Sequence, residues 1–146
     1  MEPVSGALGV VAGVTGIVSV IGKSIAALNQ LRLKYRDAEL NITLLTGQLR
    51  IVQRALLQVQ GWAESLHGDS QYYQLLVDIE DAVAHCKLLV EYIHNQISRF
   101  QWDDDALLGA GSKVIYLLED QATKDCLTRL DHQINALSLC LTATQW

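Results

Sequence analysis

The sequence predicts an all-α protein, an antiparallel bundle of four to five long helices led by a glycine-rich apolar one. Three observations carry this. Half of the 146 residues are hydrophobic and only 18% are charged, which excludes a disordered chain. Proline and phenylalanine each occur once, so helices are favoured over a sandwich. Apolar residues recur at spacings of three and four along most of the chain, the helical period. The length fits a single domain over 1–146, with an apolar N-terminal helix at 1–22 and an amphipathic bundle at 23–146.

The first helix is expected from about Val4 to Tyr35, with a break near Gly22. No charged side chain occurs from Val4 to Gly22, a run close to the ~20 residues that span a bilayer as a helix. At about 100° per residue, Gly6, Gly9, Gly13 and Gly16 form one stripe, and Val10, Val14, Ile17, Val18 and Ile21 are expected on the opposite side. Gly9 to Gly13 is a G-x-x-x-G, which lets apolar helices approach closely. Glycine and valine are poor helix formers in water, so this helix needs protein or lipid around it. Val4 and Leu8, together with these glycines and aliphatic residues, are the candidates for membrane insertion and helix packing. A secretory signal peptide would carry positive charge before the run; Glu2 stands there instead.

The second helix, about 37–66, has an apolar seam at Ile42, Leu45, Leu49, Val52, Leu56, Val59 and Ala63. Gly68 suits a C-terminal cap, and Asp69 or Ser70 an N-cap. The third, about 71–100, repeats the device from Tyr72 and Leu76 through Ile97 to Phe100. Asp103, Asp104 and Asp105 read as caps and dipole partners at a helix start, since they lack the spaced oxygens and closing glutamate of a calcium loop. The fourth, about 112–142, carries Leu127, Leu130, Ile134, Leu137 and Leu141, with a kink or polar turn expected at Thr123–Asp125. Three seamed helices and short loops predict an up-and-down arrangement.

Charge is unevenly placed. Residues 23–54 hold six bases against two acids, a net of +4; residues 55–146 hold five against thirteen, a net of −8. The acidic total argues against nucleic acid as a partner. The bases just after the apolar run, Lys23, Arg32, Lys34 and Arg36, are candidate contacts for anionic lipid headgroups, or else a solvated helix face.

No enzyme is expected, and no cofactor or metal. Gly16 to Ser24 ends like a phosphate loop, but five residues rather than four separate Gly16 from Gly22. His67, His85, His94 and His132 form no H-E-x-x-H pair and read as solvated or hydrogen-bonded helix histidines. Ser24, Ser112 and Ser138 lack a G-x-S-x-G setting. Cys86, Cys126 and Cys140 are odd in number, without C-x-x-C spacing, and read as buried thiols of an intracellular protein.

The chain resembles the N-terminal domains of fungal signal-transducing NTPases of the HeLo-like group. The likeness begins with Met1-Glu2-Pro3-Val4-Ser5-Gly6 and continues through Lys34-Tyr35-Arg36-Asp37 and the leucine-rich helix to Leu57. It closes with Lys113-Val114-Ile115-Tyr116 and the seam from Leu127 to Leu137. The resemblance implies a regulated cell-death or innate-immunity module, as in heterokaryon incompatibility. Such a bundle is cytoplasmic at rest, self-associates on activation, inserts its N-terminal helix into the plasma membrane and permeabilises it. It is also similar to the killer bundles of necroptosis pseudokinases and the coiled-coil domains of plant immune receptors. An NTPase-type receptor is the implied partner, in cis or in trans; no nucleotide-binding domain, ankyrin array or amyloid motif is present here. The alternative is a helical adaptor or oligomerisation module whose first helix stays packed in the core. The residues alone favour the adaptor; the resemblance favours membrane insertion.

Overall fold

The computed structural model describes residues 3–66, 70–101 and 120–143. They form four long helices: α1 (Pro3–Lys34), α2 (Glu39–Glu64), α3 (Tyr73–Gln101) and α4 (Gln121–Ala143). Short 3-10 turns at Arg36–Ala38 and Ser70–Tyr72 lead into α2 and α3. Among the described residues there is no strand. The expected aspartate cap at 103–105, the start of the fourth helix near Ser112, and the Gly68 and Asp69 signals lie outside the described residues.

The predicted seams are the core. All seven α2 positions are buried, as are the α3 positions from Leu76 to Ile97. α1 has a seam of the same kind: Val10, Val14, Ile17, Ile21, Ser24, Leu28 and Leu31 are all buried, at spacings of four and three. It passes Gly22 without interruption, so the expected break there is absent and α1 is one continuous helix. The polar Ser24 hid this register in the sequence, where Ile25 stood in its place; Ile25 is only half-buried. Thr123–Asp125 is helix and not a polar turn: it lies in the first turn of the described α4, with Thr123 and Cys126 buried and Leu127 half-buried.

Successive helices alternate in direction. α1 packs against α2 and α3, and α4 packs against the same two. Three contacts fix how α1 lies on α3. Gly9 meets Glu80, Gly13 meets Val83, and Ser24 meets His94, an almost constant offset along the chain. The two helices are therefore parallel and in register. α2 and α4 are parallel too, since Gln48 bonds Asp131 and, further along both helices, Trp62 and Leu141 share a cleft near their ends. The antiparallel contacts are α1 with α2, where Gln60 Nε2 donates to Thr15 Oγ1 at 2.9 Å, and α3 with α4, where Cys126 Sγ donates to the Leu89 carbonyl at 3.3 Å. Trp62 and Tyr72 pack edge to face, 6.0 Å between centroids, across the α2–α3 connection.

The three thiols are free. Burial pushes Cys86 up from an ordinary 9.0 to about 11 and raises Cys126, against an opposing pull from the Arg129 charge. A raised thiol keeps its proton longer in the folded state. Its contribution to stability is therefore complete below about pH 9 and is lost as pH climbs through about 11. At neutral pH a thiol reagent is expected to modify the half-buried Cys140 first, with Cys86 reacting only at the rate of unfolding; equal rates would contradict that burial.

A candidate membrane-active helix

α1 is the described helix that is long and apolar enough to cross a membrane, yet only 33% of its most apolar 18-residue window is buried. Val10, Val14, Ile17 and Ile21 are sealed between α2 and α3, each burial stabilising the fold by about 1.5–3 kcal/mol. Val18 is half-buried at the edge of the core. The side chains of Val4 and Gly6 lie outside the described residues.

The glycines are not opposite this aliphatic face. Val10 and Val14 each follow a glycine by one residue, a turn of about 100°, so the two stripes are neighbours. Gly9 and Gly13 sit at the seam's border and face α3. A methyl group at Gly9 would lie 3.0 Å from the Glu80 carboxylate, and one at Gly13 would lie 3.0 Å from Val83 Cγ1. These two glycines are already used within the monomer to seat α3. Gly16 has nothing within 4 Å of the same position. Gly16→Ala should therefore stabilise by about 0.5–1 kcal/mol through helix propensity alone. Gly13→Ala must displace a packed valine and is expected to destabilise, by about 1 kcal/mol or more. Thermal unfolding of the two variants checks the sign of each.

From Leu8 to Gly22 the outward face of α1 consists of Leu8, Ala12, Thr15, Gly16, Ser19 and Gly22; Leu8 is 64% exposed. None of them is charged. The outward faces of the other helices all carry charge: Arg50 and Arg54 on α2, Asp81 and Lys87 on α3, Lys124, Asp125 and Asp131 on α4. The candidate headgroup contacts Lys23, Arg32, Lys34 and Arg36 are all exposed after the uncharged run, and Lys34 Nζ lies 5.4 Å from the Tyr35 ring centre.

One polar contact holds α1 from inside. Ser24, fully buried, donates from Oγ to the Val20 carbonyl at 3.0 Å and lies 2.9 Å from His94 Nδ1 on α3. With its single proton on Val20, Ser24 accepts from the ring, which places a proton on Nδ1. His94 Nε2 then faces Ser98 Oγ at 3.4 Å. His94 is thus one of the expected hydrogen-bonded helix histidines. Its partner was not legible, because seventy residues separate the two. His85 and His132 are exposed, and His67 lies outside the described residues.

The sequence's phosphate-loop lookalike is continuous helix, with Ser24 turned into the core. Among the described residues no group of three or more metal-ligating side chains converges. Compared with known proteins, the chain matches no family model, no curated protein and no solved structure.

Proposed function

We propose that this domain targets and permeabilises membranes, with α1 as the inserting element and α2 and α3 as its resting cover. One observation carries the reading: α1 is a half-exposed helix with no charge on its solvent face from Leu8 to Gly22. A helix built only for a bundle surface gains solubility from charges there, as the other three do. A helix that must also enter lipid cannot carry them, since a charge at the bilayer centre costs about 3 kcal/mol. On release, the aliphatic seam and the uncharged face would both meet hydrocarbon, and the freed Gly9 and Gly13 would allow close packing between protomers. Following the resemblance, the module acts in regulated cell death or innate immunity at the plasma membrane, triggered by an NTPase-type receptor.

Leu8→Glu and Ser19→Glu test this, because both side chains point away from the core. Gly13→Glu is a poorer test, since Val83 blocks it in the fold itself. The expected result is loss of dye release from vesicles with unchanged thermal stability; release at the parent level in both variants would overturn the reading.

The adaptor reading draws on a different observation, the filling of the Gly9 and Gly13 gaps by α3, which suits a permanently seated helix. Amide exchange separates the two. An adaptor keeps the α1 seam protected when vesicles are added, whereas an inserting helix exchanges its bundle contacts for lipid.

A further inference from the structure

A second surface, on α2, has the make-up of a lipid-docking face. Leu40 is 70% exposed, Leu44 63% and Ile51 64%. Their spacings of four and seven put them on one outward line of the helix, on the side away from the buried seam. Gly47 lies on the same line, and nothing stands within 4 Å of where its side chain would begin. Arg50 and Arg54, both exposed, flank it. Neither is held by an acid among the described residues.

The row begins at the α1–α2 corner. There Leu33 is 76% exposed between the exposed bases Arg32 and Lys34, and Arg36 follows. Among the described residues, Glu39 stands at the start of α2, and Asp131 of α4 accepts from Gln48 at 3.1 Å. In a chain with a net charge of −5, this row and corner lie within residues 23–54, the stretch with a net charge of +4, whereas the comparably exposed Leu88 and Leu139 stand singly on α3 and α4. A row of aligned, exposed leucine and isoleucine side chains is more than the scattered single apolar residues of an ordinary soluble helix. An apolar ridge edged with arginine is instead the pattern of a helix lying in the headgroup boundary of an anionic membrane.

We propose that the outer face of α2, with the α1–α2 corner, docks the still-folded bundle on an anionic lipid surface before α1 is released. The proposal shares its lipid partner with the functional reading above but does not use the insertion of α1. Docking requires no bundle contact to break, because every residue named is already outside.

The test is co-sedimentation of the full chain with phosphatidylcholine vesicles and with vesicles that also contain phosphatidylserine, alongside dye release from each. The parent should sediment with the anionic vesicles and only weakly with the neutral ones. Leu40→Ser/Leu44→Ser/Ile51→Ser and Arg50→Glu/Arg54→Glu should each lower anionic binding about tenfold or more with unchanged thermal unfolding. Leu88→Ser, at a 66% exposed leucine on α3, is the control and should bind as the parent does. Leu8→Glu separates the two readings. Retained sedimentation without release supports docking as a distinct step, and so does α2-dependent sedimentation of a parent that never releases dye. Parent-level binding by both α2 variants overturns the proposal. So does equal binding to neutral vesicles, or a dimer in solution that the α2 variants dissociate, which would make the face a contact between copies.

Discussion

Ile17→Asp is expected to lift α1 off the bundle. The side chain is 1% exposed in the middle of the seam, between α2 and α3. An aspartate there loses the aliphatic contacts and buries a carboxylate with no cation beside it, and each effect costs several kcal/mol. The sum is comparable to the whole stability of a small domain, about 5–15 kcal/mol. Two outcomes are distinguishable by proteolysis and circular dichroism. If α2, α3 and α4 hold together alone, the variant keeps most of its helix while the α1 segment becomes sensitive to protease. If they do not, cooperative unfolding is lost altogether. Either result shows that the seam of α1 is structural; unchanged unfolding would refute its burial. Under the membrane reading, even the first outcome should give no dye release, because the freed helix now carries a carboxylate whose place at the bilayer centre costs about 3 kcal/mol.

The second large effect is expected at the Ser24–His94 contact. Ser24→Ala leaves His94 Nδ1–H facing a fully buried position with no acceptor, a loss of about 1–3 kcal/mol. His94→Ala removes the ring and leaves the hydroxyl bonded to Val20, so its loss contains a packing share as well. The double variant isolates the bond: denaturant unfolding of all four proteins should give a coupling of about 0.5–3 kcal/mol. A coupling near zero would mean that the two groups are merely adjacent. Because α1 and α3 are parallel and in register, slipping α1 by one turn would break this contact and drive Val83 toward a new neighbour. The polar pair therefore belongs to the observed register, together with the close contacts of Gly9 and Gly13.

The buried thiols, the glycine substitutions and the α2 face are smaller effects, but they probe different surfaces of the same molecule. Gly13 and Gly16 show why a shared residue type and a shared stripe do not give a shared role. One meets Val83 at the distance where a methyl group must push, and the other meets solvent.

The sequence by itself determined the class and the helices. Spacings of three and four between aliphatic residues repeat too regularly on α2 and α3 for any other period, and burial follows them from Ile42 to Ala63 and from Leu76 to Ile97. It determined the uncharged run of α1 as well, since absence of charge is a property of the chain alone. Tertiary structure decided which side of that run is hidden. In an almost uniformly apolar helix every face passes the hydrophobic test, so only the positions of Glu80, Val83 and His94 on α3 choose the glycine border and Ser24 as the inward ones. It also decided that α1 lies parallel to α3, a pairing between residues seventy apart that no local pattern encodes. Leu40, Leu44 and Ile51 already fall off the α2 seam in the sequence, and the structure adds that they are exposed.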